Sequence, residues 1–292
     1  MNRALIIGSV NIDKTYELEK IVSPGETVKS LGLRSAWGGK GLNQAIALAK
    51  AGADVSLAAC VAEETNAALK SFCAGFGLDA SLVRSVSAPT GHAIIQVDSA
   101  GQNCIIVEPG ANNAMDPDII NKALAGFGAG DILLLQNEIN MMPEIIRAGH
   151  EKGMRVVLNP SPITEEILTW PLDMVDIFIA NETEGALLSG KTHPLEILEV
   201  LAPAYPNASI VLTVGADGAF YKSPAEMFHV DALKVNAIDT TAAGDTFTGY
   251  FLSGILNGLD AAASMELATK ASAVTVTRKG AADSIPVAAE LL

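Results

Sequence analysis

Short apolar runs recur along these 292 residues, separated by helix-like stretches, and no other feature restricts the fold as much. Residues 4–10, 55–61, 131–136, 155–158, 176–180 and 210–214 have strand length and are mainly apolar, with polar residues chiefly at their ends. Strands covered on both faces read this way. Helix-like segments at 45–51, 64–76, 117–124, 143–152, 182–188, 194–201, 246–256 and 261–274 lie between or after them. Asp116 before Pro117 is a helix start with its cap in place. The alternation predicts a three-layer α/β/α sandwich around a mostly parallel sheet.

The chain is 49% apolar and only 5% aromatic, the balance of Ala-rich helices laid on buried strands. Its length suits one domain, 1–292, with a small addition. That addition is expected from 14–22 and 26–36, two patchily alternating runs split by Ser23-Pro24-Gly25. Runs at 93–97 and 104–107 flank a turn at Ser99-Ala100-Gly101. A small β-lid made mainly of 14–36 and parts of 91–107 is the expected organisation. Two further short strands are expected at 220–221 and 227–230, and another strand-like run at 233–238.

A net charge of −14 argues against nucleic acid or an anionic membrane as partner. It leaves room for a phosphorylated ligand, which backbone amides and a bound cation can hold. Cys60, Cys73 and Cys104 have no metal-site spacing and read as reduced core thiols of a cytoplasmic protein. The apolar run at 4–10 is too short for a signal peptide, and no run approaches membrane-spanning length. The glycosylation-type triplets at Asn181 and Asn207 carry no meaning in such a chain.

Four places carry chemistry. Asp239-Thr240-Thr241-Ala242-Ala243-Gly244-Asp245 precedes a helix-like run, and its small residues leave N–H groups free to face an anion. Asp245 at that mouth is suited to accept a proton from an attacking group, though both aspartates also read as helix caps. Asn11 and Asp13 follow the first strand, Glu138 follows the run 131–136, and Gly38-Gly39-Lys40-Gly41-Leu42-Asn43-Gln44 opens the helix at 45–51. Carboxyl ends of strands are where open α/β sheets bind ligands. Gly185-Ala186-Leu187-Leu188-Ser189-Gly190-Lys191-Thr192 matches a phosphate-loop expression letter for letter. It falls on a helix-like segment with Gly190 as its cap, so it is expected to be a decoy. Gly8-Ser9-Val10-Asn11 lacks the glycine spacing of a dinucleotide site.

Taken in order, Gly8-Ser9-Val10-Asn11-Ile12-Asp13, Pro24-Gly25-Glu26-Thr27, 38–45, Asn181-Glu182-Thr183-Glu184, 239–245 and Val276-Thr277-Arg278-Lys279-Gly280-Ala281 resemble the ribokinase-like (PfkB) family of sugar and nucleoside kinases. The resemblance implies ATP-dependent transfer of the γ-phosphoryl group to a primary hydroxyl. D-ribose, giving ribose 5-phosphate, is the first substrate it suggests; deoxyribose, fructose or a nucleoside are alternatives. It makes Asp245 the base, with Ala242, Ala243 and Gly244 donating to the γ-phosphate. It gives the sugar to Asn11, Asp13, Gly39, Lys40, Asn43 and Glu138. Nucleotide and Mg²⁺ would lie by Asn181 and Glu184, with Thr213, Gly215, Ala216, Asp217, Gly218, Gly244 and Thr269 on the nucleotide. Asp239, Thr241, Thr275, Arg278, Gly280 and Ser284 would hold K⁺, mostly through backbone oxygens. The resemblance also implies a homodimer through the lid.

Three positions depart from the family pattern: Leu42 where a small residue is usual, Asn137 where an apolar one is, and Thr269 where His or Asn often contacts adenine. Two other classes compete: a non-catalytic sugar-binding or regulatory protein on the same fold, and a phosphate-loop NTPase using 185–192.

Overall fold

The computed structural model describes residues 2–291. In chain order its strands are β1 (Ala4–Ile7), β2 (Asn11–Glu17), β3 (Gly32–Gly38), β4 (Val55–Ala58), β5 (Cys60–Ala62), β6 (Arg84–Val86), β7 (Gly91–Val97), β8 (Asn103–Glu108), β9 (Ile132–Gln136), β10 (Arg155–Asn159), β11 (Ile177–Asn181), β12 (Ser209–Thr213), β13 (Ala219–Lys222) and β14 (Met227–Val230). The helices are α1 (Lys40–Lys50), α2 (Glu63–Ala74), α3 (Pro117–Leu124), α4 (Met142–Glu151), α5 (Glu182–Ser189), α6 (Pro194–Ala204), α7 (Ala243–Leu256) and α8 (Ala261–Thr275).

Eight strands form the main sheet in the order β14-β13-β12-β11-β10-β9-β1-β4. The six from β12 to β4 are parallel, and β13 and β14 add an antiparallel edge. Alternate residues of each strand face opposite layers. Ile6, Leu57, Leu134 and Val157 join one core with Ile46 of α1, Tyr250 and Phe251 of α7 and Met265 of α8. Leu5, Ile7, Leu133, Leu135 and Leu158 join the other with Leu124 of α3, Ile146 of α4 and Leu201 of α6. Each fully buried aliphatic side chain contributes about 1.5–3 kcal/mol.

The second sheet has the order β3-β2-β7-β8. It differs from the expected lid in its strand limits. Its first two strands span 11–17 and 32–38, while 18–31 forms a long connection carrying the Pro24-Gly25 turn. Asn11 and Asp13 are therefore strand residues of β2, paired with Gly38 and Ala36, and do not sit in a loop. Residues 55–61 make two short strands, because the chain leaves the main sheet at Ala59 and pairs Cys60–Ala62 with Arg84–Val86. The run 233–238 is not a strand; Leu233, Val235 and Ile238 are exposed and no sheet receives them. Cys60 and Cys73 are buried, but Cys104 is exposed on β8. Among the described residues, no helix is long and apolar enough to cross a membrane.

Helices α1 and α7 cross where Gly249 has no side chain to spare. A Cβ there would lie 2.4 Å from the Ala47 Cβ and 2.8 Å from the Leu48 N. Gly249→Ala is expected to destabilise the fold by about 1–3 kcal/mol, read as a lower midpoint in urea unfolding.

Candidate functional site

The chain moves outward from β1 to β4 on one side and from β9 through β12 on the other. Their carboxyl ends open a crevice at this switch point. The first groups there come from the turn after β1 and the start of α1. A Cβ on Gly41 would sit 2.5 Å from the Ser9 N, and one on Gly8 2.8 Å from the Gly41 Cα. Only glycine lets the helix start so close to the strand end. Gly39, at φ +94°, makes the turn into α1. The Lys40 N–H then donates to Glu138 Oε2 at 2.9 Å, and the Ser9 hydroxyl donates to the same oxygen.

Asn11 is buried, and its Oδ1 accepts from Asn112 Nδ2 at 2.8 Å. Asn112 is held in turn by the Val10 N–H at 3.0 Å. Asp13 fills the space beside Gly38, where a Cβ would come within 2.0 Å of Asp13 Oδ2. Burial, with Glu138 adding to it, pushes the Asp13 carboxyl up to about 6. Beside Asn11 and Glu138 lies a cavity of about 450 Å³, bounded also by Asn112, Asn140, Thr164 and Trp170. It is large enough for a sugar-sized ligand.

Asp245 lies in the first turn of α7 and is buried. Its Oδ2 accepts from Asn43 Nδ2 at 3.2 Å and its Oδ1 from Gln44 Nε2 at 2.9 Å. Asn43 Oδ1 is buried with no partner among the described residues, an acceptor that a ligand hydroxyl would satisfy. Burial of the Lys40 ammonium draws its pKa down, but Asp245, Glu138 and Glu184 together outweigh this and hold it above its ordinary value. Lys40 is thus a retained positive charge among three carboxylates. Ala242, in the left-handed region at φ 59°, ends the preceding loop and starts α7 without a side-chain cap. The Ala243 N–H donates to the Thr240 carbonyl at 3.2 Å. The N–H groups of Ala242, Gly244 and Asp245 have no acceptor among the described residues, which leaves an anion cradle.

Asn181 and Glu184 form a capping box at the start of α5, with both Glu184 oxygens committed to Asn181. Exposed Gly215, Ala216 and Asp217 follow β12, which ends at Thr213. Gly218, at φ +103°, lies against the backbone of Val230 and Asp231. Thr269 belongs to α8; it is buried and its hydroxyl has no partner among the described residues. On the other side of the α7 turn, Asp239 accepts from the Thr241 and Gly280 N–H groups, each at 2.9 Å. Burial raises its carboxyl, but these bonds outweigh it and hold the pKa below the ordinary value. The Thr275 hydroxyl is engaged with Thr246 and Ala271, the Ser284 hydroxyl with Ala281, and the Arg278 guanidinium with Glu290. A cation at these positions fits one carboxylate with backbone oxygens, a hard-oxygen shell.

The phosphate-loop letters fall on α5, whose end Gly190 caps in the left-handed region. Gly185 is packed against Ile197 and Leu212, so no loop exists there to wrap a phosphate. Ser9, Asn112, Gln136 and Asn159 join these groups although no motif gives them a role. The signal for the last two was a lone amide closing an apolar strand. Gln44 stood inside a quoted motif without a role.

The profile of the pfkB family of carbohydrate kinases matches residues 1–288. The chain is 36% identical over 302 residues to a ribokinase from Staphylococcus aureus, covering 99% of this chain and 98% of that one. It is 33% identical over 298 residues to a ribokinase from Haemophilus influenzae, covering 98% and 96%. Among solved structures, an Arabidopsis thaliana ribokinase complexed with ribose and ATP superposes with a TM-score of 0.87 at 29% identity, covering 100% of this chain and 98% of that one.

The raised Asp13 pKa sets a pH dependence of stability. The folded state keeps its proton up to about pH 6 while the unfolded chain loses it near 3.8. The stabilisation by that proton is therefore present below the unfolded value and lost as pH rises through the folded one. Asp13→Asn removes the titration. Its stability relative to the parent is expected to rise by up to about 3 kcal/mol between pH 4 and pH 7, measured by urea unfolding at each pH.

Proposed function

This chain belongs to the pfkB family of carbohydrate kinases, phosphotransferases with an alcohol group as acceptor, and we propose that its acceptor is the primary hydroxyl of D-ribose, phosphorylated by ATP to ribose 5-phosphate. Full-length similarity to ribokinases supports this reading, as does likeness to one complexed with ribose and ATP. The observation that carries it is Asp245: a buried carboxylate at a helix start that also offers free N–H donors. A binding or regulatory protein has no need of that pairing.

In this reading Asn11, Asp13, Gly39, Lys40, Asn43 and Glu138 hold the sugar hydroxyls. Polyols offer little apolar area, so such an array of amides and charges has to supply affinity. Asp245 accepts the proton of the attacking hydroxyl through Oδ2. The Ala242 and Gly244 N–H groups meet the charge that develops on the γ-phosphoryl oxygens. Ala243 joins them when its bond to Thr240 opens. Lys40 keeps the carboxylate-rich pocket from repelling an anion. Thr213, Gly215, Ala216, Asp217 and Gly218 line the nucleotide, with Thr269 nearby.

Magnesium, when bound, neutralises phosphate charge. It would be held mainly by the nucleotide, beside Asn181 and Glu184, since Glu184 is already tied to its cap. K⁺ would be held at Asp239, Thr241, Thr275, Arg278, Gly280 and Ser284, mostly through backbone oxygens. We also read the second sheet as a lid and dimer contact. Ile105, Ile106 and Val107 on edge strand β8 are exposed, as are Leu31 and Leu33 at β3. An apolar edge of this kind invites a second copy. Function in the cytoplasm completes the reading.

ADP release measured as kcat/KM over ribose, deoxyribose, fructose and nucleosides, with Mg²⁺ and K⁺, is the direct test. Ribose should lead; no turnover with any acceptor would remove the kinase reading. Asp245→Asn should lower kcat by about 10²–10⁴-fold with little change in sugar KM. Lys191→Ala should leave turnover close to the parent's, whereas a phosphate-loop enzyme would lose it.

A further inference from the structure

Three amides lie behind Asp245, none of them among the residues assigned to the sugar. Gln44 and Gln136 are 0% exposed, and Asn159 is half-buried at the end of β10. Their hydrogen bonds run in one direction. Asn159 Nδ2 donates to the Ile179 carbonyl of β11 at 2.9 Å, which can only accept. That bond turns Asn159 Oδ1 toward Gln44, whose Nε2 donates to it at 2.9 Å. The opposite end of the same amide is fixed too, because Gln44 Oε1 accepts from Gln136 Nε2 at 2.7 Å. An amide held at both ends cannot turn over without breaking both bonds. The remaining hydrogen of Gln44 Nε2 therefore falls on Asp245 Oδ1, at 2.9 Å.

The arrangement carries a cost. Gln136 Oε1 is buried without a partner among the described residues, in a space that only the missing side chain of Gly8 leaves open. An orphaned buried acceptor destabilises, and apolar residues of similar shape would avoid it. Satisfying its own polar groups is thus not what this network does best. Its product is a donor of fixed orientation on one oxygen of one carboxylate.

We propose that Gln44, oriented by Asn159 and Gln136, is a positioning residue that keeps Asp245 Oδ1 as a permanent acceptor, so that the proton of the attacking hydroxyl is taken by Oδ2. This rests on the assignment of Asp245 as base. Asn43 bonds the same Oδ2, at a longer 3.2 Å, and is the contact a substrate hydroxyl can displace. The charged group that interacts with Asp245 here is Lys40 at the start of α1, which is itself held among Glu138 beyond β9 and Glu184 in α5. None of them reaches Oδ1 in a hydrogen bond.

A double-mutant cycle in kcat is the test, with sugar KM measured alongside. Gln44→Met keeps the length of the side chain and removes its donor. It should lower kcat about ten- to a hundredfold and leave sugar KM within about twofold. In an Asp245→Asn background the same substitution should cost no more than about twofold in kcat, since the group it acts through is gone. Gln136→Met, which frees one end of the Gln44 amide, should give a smaller kcat loss that also vanishes in that background. An equal loss in both backgrounds, or a loss carried by KM, overturns the proposal. Failure of both variants to fold, judged by thermal unfolding, also overturns it and leaves the network purely structural. A parent enzyme with no turnover on any acceptor is a different result: it overturns the kinase reading itself.

Discussion

Helix α1 begins against the end of β1 with no side chain between them, and the site depends on that contact. Gly8 and Gly41 touch backbone to backbone, so the first turn of α1 enters the crevice instead of lying over it. One approach places Lys40 beside Glu138, Asn43 beside Asp245, and Gln44 within reach of two strand ends. Gly249 makes the matching contact farther along the helix and sets how near α7 can come. Side chains within the first five residues of α1 then meet a carboxylate 201 and 202 residues distant in sequence. A methyl group at any of these glycines would push the partners apart by more than a hydrogen bond tolerates.

Charge at the site follows from that packing. The protein carries −14 overall, yet it has a crevice suited to phosphate. The means are local. One partly buried ammonium is held protonated by three carboxylates, and a helix start leaves backbone donors free. Neither requires a basic surface, so a bulk charge that argues against nucleic acid does not argue against a nucleotide. The two aspartates that bracket the α7 turn are separated by environment as well. Asp239 accepts one backbone N–H on each oxygen and stays ionised. Asp245 is met by side-chain amides, one of which can yield to a ligand.

Much of this was legible in the residues. The strand–helix alternation predicted the parallel sheet and both of its helical layers, because fully buried strands must be apolar on two faces. The decoy at 185–192 was recognisable from its helical pattern and the Gly190 cap. Pattern failed where periodicity has no core to answer to: 233–238 alternates like a strand but lies exposed, and Cys104 reads as a core thiol yet sits on an edge strand. It also failed at Asn11 and Asp13. A polar pair after a strand reads as a loop, and only pairing with β3 and β7 makes it the start of a second sheet.

The candidate site divides in the same way. Asp245, Lys40, Asn43 and Glu138 stand in short local motifs, so the sequence by itself marked them as candidates, and the resemblance to the family supplied the roles proposed for them. Gln44, Gln136 and Asn159 have no such local mark; each is an ordinary amide until β9, β10 and α1 bring them together. Tertiary structure alone decided which oxygen of Asp245 meets Gln44 and which meets Asn43. The reason is physical: the direction of a hydrogen-bond chain depends on what lies at its far end, and here that is a backbone carbonyl of β11, Ile179, remote in sequence from everything it orients.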